Sequence, residues 1–425
     1  MAEALFRYLN QKNIINLTIS FLPVSFIAGN LLINLNLFLI IFLSISFYWR
    51  EIVEIKFSLF DKILILLFVL ALITGLTNSV KLFESPEYII DKNIFLKSFL
   101  FLRYLIFYFI LKFLVTKEIF NFRFFFLSSS ICVLFVSIDL IIQFFTGRDL
   151  FGYEKQPHKL SGPFGDEYIA GSYLQRFSIF LFFFFPFLIN FKNRKLLILF
   201  LSLIFLIIFF SIIISGNRMP MILFILMFST LFIIERKLRK YFLFFSFLSL
   251  LIFFLTYQFS FQVEKFTIHF IGLINQIFLF LVEFFQGQEP KLTNTYIKEF
   301  YSGYLAWKQN ILFGGGIDSF YLNCVKSIEF CASHPHNYYL EILSELGIVG
   351  FFISVFIFFY VIYFTFIKRG ELTMNFDKNL IYPFLLIFLV EVFPFKSTGS
   401  FFTTGNATFI FFILAVSIAL SKKAN

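Results

Sequence analysis

Residues 334–350 read HPHNYYLEILSELGIVG. Two histidines, a proline and an asparagine come first, and an apolar run follows that continues to residue 367. A run of this length is sufficient to cross the hydrocarbon core of a bilayer as a helix. The stretch therefore predicts a polar loop that ends directly at a membrane-spanning helix.

The composition is that of a membrane protein. Of 425 residues, 60% are hydrophobic and 14% are charged, whereas soluble domains carry about a quarter charged residues. The net charge of +10 would suit a nucleic-acid partner, but the basic residues stand in short clusters between apolar runs. We therefore expect a lipid bilayer around the chain and no nucleic acid.

The apolar runs predict an all-α, polytopic integral membrane protein with about twelve transmembrane helices in a single membrane domain, 1–425. The first run lacks a small-residue cleavage site, so we expect a retained span rather than a signal peptide. The predicted spans are residues 14–28, 31–48, 61–77, 94–115, 122–146, 172–191, 195–214, 217–234, 240–258, 346–367, 379–395 and 402–420.

The basic residues predict the orientation. If both termini are cytoplasmic, the cytoplasmic segments hold 20 of the 35 Lys and Arg residues. The short exterior loops then hold only Lys81, Lys92, Arg148, Lys155, Lys159, Arg218 and Lys396. This asymmetry follows the positive-inside rule and indicates that one long loop, 259–345, is exterior.

The long loop has two further features. Residues 263–286 are apolar but interrupted by charges, which predicts an amphipathic helix on the outer leaflet or over a cavity. Cys324 and Cys331 lie seven residues apart, and an oxidising compartment would favour a disulfide over two free thiols. Cys132 lies in an apolar run and suits an inert core position.

The histidines mark the exterior side as the place for chemistry. All four, His158, His269, His334 and His336, fall there. Pro335 suits the first turn of a helix, which would place His336 in that turn with Gly347 and Gly350 further along the same face. The helix N-terminus would keep the imidazole neutral and able to act as a general base, although His336 could instead only cap the helix.

Two arginines suit an anionic ligand. Arg218 lies in a tight exterior turn at the membrane edge, where its guanidinium could fork onto phosphate oxygens or serve as an interfacial anchor. Arg176 lies near the outer end of its span and could join the same site. Asp139, in the preceding span, could equally be its structural partner.

The pattern His336, Asn337, nine residues and Gly347, with Gly350 three further on, resembles the signature of the O-antigen ligase/polymerase superfamily. Four other segments are similar to blocks of that superfamily, so the resemblance extends over residues 160–415: Phe164–Gly171, Ser215–Arg218, Trp307–Phe320 and Phe393–Phe402. Within the third segment, the run Gly314–Gly316 could present backbone N–H groups to an anion.

The resemblance implies an inverting, metal-independent membrane glycosyltransferase with no cofactor. Such an enzyme moves an oligosaccharide from a polyprenyl diphosphate, undecaprenyl diphosphate in bacteria, to a hydroxyl of a glycolipid or glycan. It works on the periplasmic face of the inner membrane, in lipopolysaccharide or surface-polysaccharide biosynthesis. A repeat-unit polymerase and a protein O-oligosaccharyltransferase remain open within the same class. A twelve-span transporter or flippase belongs to another class, but it would show matching halves, which this sequence lacks.

The resemblance also implies roles for particular residues. His336 would be the catalytic base, and Arg218, with Arg176 or Lys308, would hold the donor diphosphate. Ligases of the family carry a second arginine in the long loop. Here no arginine lies between Arg218 and Arg369 on the exterior side, so Lys298 or Lys308 is expected to replace it, as a point charge rather than a fork. Supporting roles fall to Asn337, Gly347, Gly350 and Glu167.

Overall fold

The computed structural model describes residues 10–83, 93–156, 159–188, 194–234, 239–259, 295–325, 331–368 and 380–422, with scattered positions between 260 and 294. His158, His269 and most of the predicted amphipathic helix lie outside the described residues. Within the described ranges the structure is helical, and an isolated bridge between Arg148 and Glu154 is the sole β-type pairing.

The described helices follow one another along the chain. They are α1 Gln11–Ser20, α2 Leu22–Ala28, α3 Asn30–Val53, α4 Leu59–Phe83, α5 Asn93–Thr116, α6 Phe122–Thr146, α7 Ala170–Leu188, α8 Arg194–Ile214, α9 Arg218–Ile234, α10 Arg239–Phe259, α11 Thr295–Gln309, α12 Phe320–Val325, α13 Tyr338–Lys368, α14 Ile381–Glu391 and α15 Thr404–Lys422. A single 3₁₀ turn, Gly162–Phe164, precedes α7.

The all-helical prediction is confirmed, but the count of twelve spans is not. Among the described residues, six helices are long and apolar enough to cross a membrane: α3, α4, α5, α6, α13 and α15. Five shorter apolar helices occupy the positions of further predicted spans: α7, α8, α9, α10 and α14.

The first predicted span is wrong as a single helix. The chain forms α1 and α2 instead, and Pro23 lies in the first turn of α2. Proline lacks an amide hydrogen and clashes with the preceding turn, so a continuous helix is disfavoured there. Gly29, with φ +100°, then separates α2 from α3.

Helix α15 lies at the centre of the bundle, and 83% of its apolar stretch is buried. The abundant phenylalanines supply much of the packing around it. The ring of Phe412 lies 4.9 Å from that of Phe125, which in turn lies 5.0 Å from Phe180 in an edge-to-face contact. Such aromatic pairs stabilise a core beyond the area they bury.

Helix α13 is interrupted at Gly347, whose backbone has φ +67° and ψ −172°. The glycine-rich segment after α11 docks into this break. The N–H groups of Gly315 and Gly316 donate to the carbonyls of Ser344 and Glu345 at 3.0 and 2.8 Å. In return, the Ile348 N–H donates to the Ile311 carbonyl at 2.9 Å. The suggestion that the glycine run offers these N–H groups to an anion is therefore wrong, because they are already bonded to α13.

Replacing Gly347 by alanine should destabilise the protein more than the same change at an open glycine. The new Cβ would collide with the Leu312 carbonyl, and the backbone conformation is one that only glycine adopts readily. We expect the free energy of unfolding to fall by about 2–4 kcal/mol. Thermal unfolding in detergent would measure this.

Gly147 provides the matched control. It also has positive φ, +86°, but a Cβ there would meet nothing within 4 Å. Gly147→Ala should therefore cost only about 1 kcal/mol. Equal losses for the two variants would contradict a specific docking of the glycine segment against Gly347.

Candidate active site

A buried cluster of charged groups lies where α7 meets the end of α14. The Arg176 guanidinium forks onto the Glu391 carboxylate, with Nε–Oε1 and Nη2–Oε2 distances of 2.9 Å each. The Lys396 ammonium donates to the same Oε2 at 2.6 Å. All three side chains are at least nine-tenths buried. Two cations thus share one carboxylate, which leaves the cluster with a net positive charge.

Neutral groups connect this cluster to residues 334–338, called here the histidine segment. Arg176 Nη2 donates to Asn406 Oδ1 at 2.6 Å and lies 3.5 Å from the Tyr338 hydroxyl. The Lys396 ammonium lies 5.4 Å from the centre of the Tyr338 ring. Burial lowers the pKa of Lys396 to about 8, although the Glu391 carboxylate opposes the shift. Lys396 therefore stays cationic at neutral pH.

Asp139 is not the partner of Arg176. Its Oδ1 instead accepts a hydrogen bond of 2.8 Å from the Leu150 N–H, at the start of the loop after α6. Arg176 pairs with Glu391 because the end of α14 packs beside α7. The suggested pairing of Arg176 with Asp139 is therefore wrong.

A cavity of about 290 Å³ opens beside the cluster. One end is polar and includes Arg176 and Lys396. The apolar part of the wall includes Phe26, Ile33, Phe164, Phe177, Met219 and Leu223, and polar residues such as Glu167, Gln175 and Thr398 also line the cavity. Five segments that the charge pattern places on the exterior side meet here: the α2–α3 junction, the approach to α7, the start of α9, the histidine segment through Tyr338 and the α14–α15 loop.

Helix α13 begins at Tyr338, three residues later than Pro335 predicts. Asn337 caps it, because its Oδ1 accepts from the N–H groups of Tyr339 and Leu340 at 3.0 and 3.2 Å. His336 therefore lies before the helix, with a left-handed φ of +51°, and the predicted placement in the first helical turn is wrong.

The histidine segment is bonded to the cavity wall through the backbone. The Thr398 N–H donates to the His336 carbonyl at 2.9 Å, and Asn337 Nδ2 donates to the Pro394 carbonyl at 2.8 Å. Thr398 itself lines the cavity. Thr398 therefore lies between His336 and the cavity that Arg176 and Lys396 line.

Two titratable groups lie against the His336 ring. Its Nε2 is 3.6 Å from Oε1 of Glu299, which projects from α11, and its ring centre is 4.1 Å from that of His334. Burial lowers the pKa of His336, while a hydrogen bond with the Thr398 backbone opposes the shift. Burial and the neighbouring ring lower the pKa of His334 to about 4. Both rings are therefore neutral at pH 7, the state that a proton acceptor requires.

The other residues singled out in the sequence lie around this centre. Arg218 opens α9, and the next two residues line the cavity. Glu167 is exposed and also lines it. Lys308 lies outside the cavity lining, at the exposed end of α11, where its Nζ is 4.6 Å from the centre of the Tyr304 ring. A Cβ on Gly350 would meet Leu70 of α4 at 3.3 Å, so Gly350 allows these helices to approach closely.

The structure joins Cys324 and Cys331 by a disulfide, with Cα atoms 5.9 Å apart. Cys324 is fully buried with Ala306 and Phe320, so the bridge attaches the chain just before His334 to the packing between α11 and α12. Its formation in the cell stays a prediction. Cys132 is buried and unbridged.

Three contributors escaped the sequence reading. Lys396 and Asn406 had a signal, since Lys396 lies within the segment Phe393–Phe402 that resembles a family block and Asn406 follows it closely. Glu299 had none, because one carboxylate in a long polar loop is indistinguishable from a solvated charge. Its position beside His336 comes from the packing of α11 on the segment around Pro335.

One comparison with known proteins identifies a relationship. A family model described as O-Antigen ligase matches residues 203–355, a range that includes Arg218, Glu299, His336 and Gly347. No curated protein matches the chain. The match confirms the resemblance carried by the histidine signature and supports glycan transfer in polysaccharide biosynthesis.

Proposed function

We propose that this chain, whose residues 203–355 match the O-antigen ligase family model, transfers a glycan from a polyprenyl-diphosphate donor to an acceptor hydroxyl. One observation carries the proposal. A cavity with a cationic end and an apolar wall is separated from the neutral, half-buried His336 by the α14–α15 loop, in which the Thr398 N–H bonds to the His336 carbonyl. The reaction belongs to the synthesis of lipopolysaccharide or another surface polysaccharide.

The chemistry of the donor matches the two parts of the cavity. A lipid-linked diphosphate joins an anion to a hydrocarbon chain, and the cavity joins Arg176 and Lys396 to a phenylalanine-rich wall. Positive charge held beside the cavity stabilises the diphosphate as it departs. Since the departing group is already a stable anion, the protein need not protonate it.

We assign the second donor-binding cation to Lys396. The sequence suggests Lys298 or Lys308 for this role, but Lys396 lines the cavity and neither of those lysines does. Arg218 keeps its proposed role at the donor diphosphate, because Met219 and Pro220 place the start of α9 at the cavity wall. Glu167, on the same wall, remains a proposed supporting residue.

The proposed base is His336. The acceptor proton passes to an imidazole nitrogen while the acceptor oxygen bonds to the anomeric carbon of the donor. The bond from that carbon to the phosphate oxygen breaks, and its electron pair leaves with the diphosphate. A direct displacement of this kind inverts the anomeric configuration and requires no metal.

The function can be tested with purified protein in detergent and a defined polyprenyl-diphosphate glycan. We expect transfer to a glycolipid acceptor and no reaction of the donor alone. Extension of one donor by another would identify a polymerase instead. Transfer to protein hydroxyls would identify a protein glycosylation enzyme, and failure with all three acceptors would contradict glycan transfer.

The proposed periplasmic location of the site gives a separate expected result. Glu154 and Lys117 are members of exposed ion pairs, in a predicted exterior and a predicted cytoplasmic loop respectively. In intact spheroplasts, a cysteine at Glu154 should react with an impermeant maleimide, whereas one at Lys117 should react only after permeabilisation. The reverse pattern would invert the proposed orientation.

A further inference from the structure

Glu299 is the buried carboxylate beside the proposed base. Its side chain is 10% exposed, and its Oε1 lies 3.6 Å from Nε2 of His336. Its second oxygen, Oε2, is buried without a hydrogen-bond partner among the described residues. An ionised carboxylate that is buried with an unbonded oxygen costs free energy unless a positive charge develops close to it.

The position of Glu299 follows from the packing of α11. Gly303 lies one helical turn after Glu299, on the same face of the helix. A Cβ on Gly303 would meet Pro335 at 2.9 Å and Leu340 at 3.0 Å, so glycine allows α11 to lie directly on the histidine segment. This close approach brings the carboxylate to the imidazole.

We propose that Glu299 is a positioning residue for the reaction, which orients the His336 ring and stabilises the positive charge that this ring gains from the acceptor proton. The inference rests on the proposed function, since it assigns Glu299 to the step in which His336 acts. A neutral imidazole beside a carboxylate becomes a better base, because the ion pair forms as the proton arrives.

Other titratable groups lie on the elements that pack around the histidine segment. They are His334 on its own segment, Glu341 on α13, which accepts from the Phe401 N–H, and the paired Lys396, Glu391 and Arg176 beyond the α14–α15 loop. Glu299 is therefore the acidic group placed to respond to His336. Burial raises the pKa of its carboxyl to about 7, so its ionised fraction grows across the neutral range.

Glu299→Gln tests the inference because the amide keeps the size of the side chain and removes its charge. We expect kcat to fall about 10–100-fold with the donor KM nearly unchanged. In the wild type, kcat should rise as the pH passes through about 7, where Glu299 ionises. This rise should disappear in Glu299→Gln and persist in Glu299→Asp. The matched control Glu154→Gln, at an exposed ion pair outside the site, should leave kcat and the pH profile unchanged.

A double variant separates the two proposals. Glu299→Gln should slow the wild type but add nothing to His336→Ala, since the carboxylate acts through the ring. If His336→Ala is inactive while Glu299→Gln keeps the wild-type rate and pH profile, the role of Glu299 is overturned and the proposed function stands. If His336→Ala turns over normally, the proposed function itself fails. Equal losses in Glu299→Gln and Glu299→Asp, with lowered thermal stability, would assign Glu299 a purely structural role.

Discussion

Replacing His336 by alanine should reduce glycan transfer by about 10²–10⁴-fold, the usual contribution of a general base. The substitution removes the imidazole that accepts the acceptor proton. It leaves the Thr398 N–H bond intact, because that bond is made to the His336 main-chain carbonyl. Donor binding and the thermal unfolding midpoint should therefore stay close to those of the wild type. Steady-state transfer in detergent measures the loss.

His334→Ala is the matched control, since the two rings lie 4.1 Å apart. It should reduce transfer far less, because His334 is held on Ser333 at 2.9 Å and its Nε2 is buried. The pH profile gives a second readout. Burial lowers the pKa of His336, so the loss of transfer caused by protonation of this ring should lie below the pH of about 7 at which Glu299 titrates. A larger defect in His334→Ala would transfer the proposed role to that residue.

The largest expected effect on donor recognition follows from removing the Arg176 guanidinium. Arg176→Gln leaves Glu391 paired with Lys396, so no buried charge loses its last partner, a loss that would be strongly destabilising. We expect kcat/KM for the donor to fall about 10²–10³-fold, because the guanidinium beside the diphosphate is lost. The fold should survive, and kinetics at varied donor concentration would measure the loss.

A second buried pair provides the control. Lys112 and Asp61 are 10% and 0% exposed, the same values as Arg176 and Glu391, but they line no part of the cavity. The neutralised variant Lys112→Gln/Asp61→Asn should keep the wild-type donor KM. Because the pKa of Lys396 is about 8, its charge is present below that pH and lost above it, so the donor KM should rise in alkaline solution. Equal defects in Arg176→Gln and in Lys112→Gln/Asp61→Asn would contradict a specific role of Arg176 at the donor.

The sequence predicts features that depend on local pattern. Apolar periods place helices at most of the predicted spans, and the change from polar to apolar residues at 334–350 locates the segment that lies beside the cavity. The family match over residues 203–355 confirms the resemblance drawn from His336, Asn337 and Gly347.

The errors fall where distant parts of the chain compete with a local signal. Pro335 favours a helix start, but the Asn337 side chain caps the helix later while its amide bonds to the α14–α15 loop. Gly347 fits a helix pattern, yet its backbone leaves the helix to accommodate the glycine segment.

Pairs between residues that are far apart in the sequence also cannot be predicted from local sequence patterns. Arg176 and Glu391 are 215 positions apart in the sequence, and nothing local distinguishes Glu391 from Asp139 as the partner. The same holds for Lys396 against Lys308 at the cavity and for Glu299 against other carboxylates of the long loop. Each choice depends on how whole helices pack.

The central claim, that the protein couples departure of the polyprenyl diphosphate to proton removal by His336, is tested most directly by measuring both products in one reaction. Wild-type protein should release one polyprenyl diphosphate for each glycosylated acceptor, with inverted configuration at the anomeric carbon. His336→Ala should bind the donor with similar affinity but form neither product at an appreciable rate. Diphosphate release without an acceptor, or normal product formation by His336→Ala, would contradict it.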